Sequence, residues 1–158
     1  MRPKYPPNLR INGREKLPNT VFLDDDKLYH AFDKDDIEED DFRLDSIRFP
    51  DFSCNWDKFS IPQDIRFREN GKMTDGCYSF TVCTSRYKNY ATPVHDPIED
   101  EKHPNYAHTE VRELLEGEDI LFEPPKNRKP KSKKSKSIRL EYRQNLLNNI
   151  TIELDSIG

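Results

Sequence analysis

Apolar and polar positions along this chain alternate in short runs rather than in long helical stripes. The clearest run is Cys77 to Cys83, where Tyr78, Phe80 and Val82 alternate with Ser79 and Thr81. A period of two predicts a half-buried strand with its aromatic face inward. Val21-Phe22-Leu23 and Leu28-Tyr29-His30-Ala31-Phe32 flank Asp24-Asp25-Asp26, which predicts two short strands around an acidic turn. Aromatic residues return at Phe42, Phe49, Phe52, Trp56 and Phe59, interrupted by Pro50. Ser60-Ile61-Pro62 predicts a helix start with Ser60 as its N-cap. Residues 84–105 carry Pro93, Pro97 and Pro104 among polar residues and read as a long loop.

Tyr106 to Leu115 fits two periods. A helix would align Ala107, Val111, Leu114 and Leu115; a strand would place Tyr106, His108, Glu110 and Arg112 on one face and Ala107, Thr109 and Val111 on the other. Asp119 to Phe122 predicts a short strand closed by Pro124-Pro125. Ile138, Leu140 and Tyr142, then Ile150, Ile152 and Leu154, alternate with polar residues on either side of Asn148-Asn149. They predict a terminal pair of strands, with a helix over Ile138 to Leu147 as the alternative.

The combination is an α+β fold: a small single domain with a mainly antiparallel sheet, long polar loops and a basic flexible segment. Its parts are an extended Pro-rich arm at 1–20, a folded core at 21–123, a basic linker or loop at 124–137, and a C-terminal strand pair, or helix plus strand, at 138–158 that packs on the core or on a partner.

Composition sharpens this picture. Only 33% of the 158 residues are hydrophobic and 35% are charged, so the core is lean for the length. Nine Phe, seven Tyr and one Trp concentrate what buried area there is in aromatic rings. No run approaches the roughly 20 apolar residues of a membrane span, and the N-terminus lacks an apolar leader, so a cytoplasmic protein without membrane contact is expected. Cys54, Cys77 and Cys83 form no CxxC pair and are expected to be free thiols; neither a structural metal nor a cofactor is expected.

The net charge of −4 conceals strong sorting. Asp33, Asp35, Asp36, Glu38, Glu39, Asp40 and Asp41 form a dense acidic segment, expected as a solvated loop or short exposed helix. It has no Gly, which argues against a calcium loop. Lys126, Arg128, Lys129, Lys131, Lys133, Lys134 and Lys136 form a basic stretch without acids or aromatics. Such a stretch can neutralise phosphates but offers no base stacking. The leading functional expectation is a non-enzymatic accessory protein that docks a protein or a protein–nucleic acid complex through these opposed segments. A protein partner is expected, with nucleic acid contact through the basic stretch as a further option.

One cluster carries candidate chemistry. His95, His103 and His108 lie close together in sequence with Asp96, Glu99 and Glu110. On a strand, His108, Glu110 and Arg112 would share a face: a base, an acid and a fixed cation. The alternative expectation is therefore a small hydrolase or phosphodiesterase-like enzyme centred on His108, Glu110 and Arg112, with His95 or His103 closing over from the loop. Phosphate-cradling Gly-rich loops, GxSxG and kinase signatures are absent, which argues against nucleotide-driven chemistry.

Overall fold

A computed structural model describes residues 16–66, 74–99, 104–126 and 135–155. Eight strands are present there: β1 (Lys27–Phe32), β2 (Ile37–Glu38), β3 (Asp41–Phe42), β4 (Asp51–Trp56), β5 (Gly76–Thr81), β6 (Ala91–His95), β7 (His108–Glu113) and β8 (Thr151–Leu154). Two α-helices join them, α1 (Val82–Ser85) and α2 (Lys136–Leu147). Six strands build one sheet in the order β6-β7-β4-β1-β5-β8, while β2 and β3 form a separate hairpin. Every pairing is antiparallel. The fold is α+β with a mainly antiparallel sheet, as the short alternating runs predict.

Register sorts the side chains, because residues directly opposite share a face. Leu28 pairs with Phe80 and Trp56, Phe52 with Val111, and Cys54 with Thr109. This face carries the core: Leu28, Phe32, Phe52, Trp56, Tyr78, Phe80 and Val111 join Ile47, Tyr142 and Leu146 in one apolar cluster. The opposite face carries Asp51, Ser53 and Asn55 from β4 against Arg112, Glu110 and His108 from β7. The ambiguous segment at 106–115 thus resolves as a strand.

Several predicted elements differ, and at the C-terminus the alternative of a helix followed by a strand is the one formed. Residues 138–147 are helical: the Oγ of Ser135 accepts from the Ile138 amide, and Tyr142 and Leu146, one turn apart, enter the core together. Leu140, which the alternating pattern counted as inward, is exposed. Val21–Leu23 is no strand; a 3₁₀ turn at Asn19–Val21 lets Phe22 stack on Trp56 with ring centroids 4.0 Å apart. Asp119–Phe122 is also not a strand, and the Ile120 carbonyl accepts from the Thr92 hydroxyl. Within the predicted loop at 84–105 lies β6, whose Pro93 is accommodated because β6 is an outer strand.

The acidic segment, expected as a solvated loop or a short exposed helix, is a short 3₁₀ turn followed by a hairpin. A 3₁₀ turn at Lys34–Asp36 leads into the β2–β3 hairpin, in which Ile37 pairs with Phe42 and Glu38 with Asp41. Glu39 and Asp40 form the two-residue turn with φ of 51° and 68°. Both sit in the left-handed region that hairpin turns of this length require, and that side chains other than Gly occupy at a cost of about 1 kcal/mol each. Ile37 and Phe42 pack against the core, which leaves the carboxylates outside.

Ser60 does not cap by accepting. It donates to the Ile61 carbonyl, while the Asp64 carboxylate takes the Ile61 amide at 3.0 Å and heads a 3₁₀ turn at Pro62–Arg66. β5 ends at Thr81, whose hydroxyl accepts from the Thr84 amide and starts α1, so Cys83 leaves the sheet and is exposed. All three cysteines are free. Among the described residues no helix is long and apolar enough to cross a membrane.

Candidate functional site

The antiparallel register of β4 and β7 sets two columns of polar side chains against each other: Asp51 opposite Arg112, Ser53 opposite Glu110, and Asn55 opposite His108. The turn after β6 adds Asp96, and the segment after β7 adds Pro124 and Lys126. Arg112 is the hub. Its Nε and Nη2 donate to Glu110 Oε2 at 3.2 and 3.0 Å, Nη2 also to Asp96 Oδ2 at 3.2 Å, and Nη1 to the Pro124 carbonyl at 2.8 Å. Asp51 Oδ1 lies 3.7 Å from Nε, and Lys126 Nζ lies 3.5 Å from Glu110 Oε1. Arg112 and Glu110 are both buried. Burial, then the nearby charge of Glu110, pushes the Asp51 carboxyl above its ordinary range.

The hydrogen bonds fix the tautomer of His108. Its Nδ1 lies 2.7 Å from the Asp96 carbonyl. A carbonyl only accepts, so Nδ1 carries the hydrogen and Nε2 the lone pair. That lone pair faces the Ser53 hydroxyl at 3.4 Å. Ser53 is exposed, and its own carbonyl accepts from His30 Nδ1 at 2.7 Å. A histidine on each side of β4 therefore holds Ser53, one through its backbone and one through its side chain.

Of the candidate residues read from the sequence, the structure brings together His108, Glu110 and Arg112 and removes His95. On β6, His95 pairs with Thr109 and so faces the other side of the sheet. It is fully buried among Trp56, Phe59 and Tyr106. Nδ1 accepts from the Leu17 amide at 2.8 Å and Nε2 donates to the Tyr106 carbonyl at 2.7 Å, so both nitrogens are committed to neutral, structural bonds. His103 lies outside the described residues. Asp51 and Ser53 were missed as site members because their places depend on register between distant strands, and Lys126 because the segment after β7 folds back to Glu110.

Asp96, His108 and Glu110 each offer a ligand atom within 4.8 Å of one another, the spacing of a metal site. Arg112 already bonds an oxygen of each of the two carboxylates. The cation this group calls for is supplied by the protein, and the donor set does not fit a metal while Arg112 stays in place.

The charged tracts fare differently. Asp35, Glu38, Glu39, Asp40 and Asp41 are exposed, and among the described residues no cation forms an ion pair with them. Asp36 is half-buried and accepts from the Asp33 amide at 2.9 Å. Lys126 belongs to the Glu110 cluster rather than to a free basic patch. Lys136 opens α2 and is exposed. Arg128, Lys129, Lys131, Lys133 and Lys134 lie outside the described residues.

Two histidines, half-buried His30 and fully buried His95, predict a pH dependence. Burial lowers His30 and His95 below the usual imidazole value, partly offset in each by the hydrogen bond to a carbonyl. As pH falls, the unfolded chain takes up these two protons first. Stability present above about pH 6.5 is then lost below it, at up to about 2.7 kcal/mol per pH unit for two protons. Asp51, Asp57 and Asp64, raised by burial, act in the opposite sense but closer to the carboxylate range. Urea denaturation between about pH 7 and 5.5 should show a falling midpoint; a flat profile would contradict the assignment of both imidazoles as held neutral by the fold.

Comparison of the chain with models of known protein families, with curated proteins and with solved structures finds no match.

Proposed function

We propose that the chain is an accessory protein that docks a protein, or a protein–nucleic acid complex, through its segregated acidic and basic segments. The observation that supports this reading is the β2–β3 hairpin. It holds Glu38, Glu39, Asp40 and Asp41 outward on a two-residue turn, with Asp35 beside it and no described cation in ion-pair contact. Glu38 and Asp41 face each other directly across the hairpin, an arrangement of like charges that lowers stability. The left-handed turn residues lower it further. Ile37 and Phe42 anchor the hairpin to the core, while its outward carboxylates repel one another and meet no described cation, which leaves them well placed to face a basic surface, where the same charges steer approach and set orientation.

The test neutralises the hairpin together: Asp35→Asn, Glu38→Gln, Glu39→Gln, Asp40→Asn and Asp41→Asn. Stability in urea should stay level or rise by about 0.5–1 kcal/mol as cross-strand repulsion is removed. Partners that co-purify with the unaltered chain after nuclease treatment should be lost from the variant, and their retention should weaken steeply with salt. Retention of the same partners by the variant at low salt would sink the proposal, as would loss of stability showing that the carboxylates serve the fold.

A further inference from the structure

We propose that Ser53 and His108 form a nucleophile–base pair that takes the acyl group of neutral carboxylic esters. This site is separate from the acidic hairpin, and it gives the hydrolase alternative a nucleophile that the sequence did not disclose. Three observations carry it. The Ser53 hydroxyl is solvent-exposed on a central strand. The His108 lone pair lies 3.4 Å from it, a long contact of the kind that shortens when a substrate closes a site. The other ring nitrogen is pinned at 2.7 Å by the Asp96 carbonyl, so the imidazole presents its basic atom to the hydroxyl and cannot present the other.

The chemistry balances without a metal or redox partner. Ser53 Oγ bonds to the ester carbonyl carbon while its proton passes to His108 Nε2. The carbon–oxygen bond to the alcohol then breaks, and Nε2–H returns the proton to the departing alkoxide. Water repeats the sequence on the acyl-serine: its proton goes to Nε2, the acyl–Oγ bond breaks, and the proton is given back to Ser53. Ester and water become acid and alcohol.

Charge selects the ester class. Asp51, Asp96 and Glu110 outnumber Arg112 and Lys126, and Glu110 lies directly across from Ser53. A phosphodiester anion approaching the hydroxyl meets net negative charge, whereas a neutral ester does not. Arg112 is fixed by Glu110, Asp96 and the Pro124 carbonyl, and its place is to hold the cluster. Lys126, an exposed side chain held at 3.5 Å from one Glu110 oxygen, is the cation of this cluster free to move onto a developing oxyanion. His30 and Asp96 are positioning residues, acting through the backbone of Ser53 and the ring of His108.

The experiment treats the full chain with a fluorophosphonate reagent. Ser53 Oγ displaces fluoride from phosphorus as His108 takes the proton, and the adduct is located by peptide mass spectrometry. Hydrolysis of p-nitrophenyl acetate and of bis(p-nitrophenyl) phosphate is followed in parallel. An adduct on Ser53 is expected, absent from Ser53→Ala, whose melting curve should be unchanged because the hydroxyl is exposed. His108→Asn keeps an N–H aimed at the Asp96 carbonyl and removes the base; labelling and acetate hydrolysis should fall by roughly a hundredfold or more. The proposal is overturned if the unaltered chain is labelled no faster than Ser53→Ala. It is equally overturned if folded His108→Asn labels Ser53 at the original rate, or if the phosphodiester is the better substrate. Should His108→Asn not fold, the Ser53→Ala comparison decides alone.

Discussion

Replacing Arg112 by Leu should cost about 3–5 kcal/mol, the loss expected when one partner of a buried ion cluster is removed. Leu fills much of the same space, so the loss does not come from a cavity. It comes from Glu110, only 6% exposed, and from Asp96 and Asp51, which are left facing one another without the guanidinium. The Pro124 carbonyl also loses its donor. Arg112→Lys should recover only part of the loss, because a single ammonium cannot span Glu110, Asp96 and Pro124 as the planar fork does. Adding Glu110→Gln to Arg112→Leu should restore part of the stability by removing the most deeply buried of the stranded charges. Urea midpoints in the order Leu, then Lys, then the unaltered chain would establish Arg112 as the keystone of this face. Equal midpoints for all three would show that the cluster is solvated and adds little.

The second large effect is expected at Trp56. Its side chain is fully buried, stacks on Phe22 at 4.0 Å with planes 25° apart, meets Phe59 and His95 edge-on, and donates Nε1–H to Asp26 Oδ2 at 3.1 Å. Trp56→Ala should cost about 3–5 kcal/mol from lost transfer energy and an unfilled cavity. The damage should spread to the segment carrying Leu17 and Phe22, since Phe22 stacks on the indole and Leu17 is tied to His95. Hydrogen exchange at the Leu17 amide should therefore accelerate more than exchange in β5. Trp56→Phe should cost much less, because Asp26 is only half-buried and can hydrate the oxygen it frees. Trp56 is the chain's single Trp, so circular dichroism rather than indole fluorescence reads these variants. A loss below about 1 kcal/mol for the Ala variant would mean that the surrounding rings collapse into the space.

Period-two patterns made β1, β5 and β8 legible as strands, although β5 is buried on both faces rather than one and Ile152 of β8 is exposed; at β7 the pattern fitted a helix as well as a strand. β6 was hidden: Pro93 reads as a breaker, and only the strand's place at the margin of the sheet makes it acceptable. At α2 the alternation of Ile138, Leu140 and Tyr142 favoured a strand and left the helix as the alternative; the signals that decide for the helix are the Ser135 cap and the pairing of Tyr142 with Leu146 one turn later. The candidate site was legible along β7 alone. Its strand reading put His108, Glu110 and Arg112 on one face, but their neighbours come from β4 and from turns distant in sequence. A one-residue change of register would have turned Asp51 and Ser53 away and brought Phe52 and Cys54 round instead. His95 failed for the same reason, being set by its partner Thr109 rather than by its nearness in sequence to Asp96.

The strand order has a consequence for how the molecule comes into being. Among the described residues the earliest strand, β1, ends fourth across the sheet, between β4 and β5. During synthesis it emerges without either neighbour and waits through the acidic hairpin and the first aromatic stretch before a pairing edge becomes available. β8, the last of the six sheet strands in sequence, can dock only after the other five have left the ribosome. A topology dominated by such distant pairings closes slowly, and until it closes the edges of β1 stay open to any other extended chain nearby.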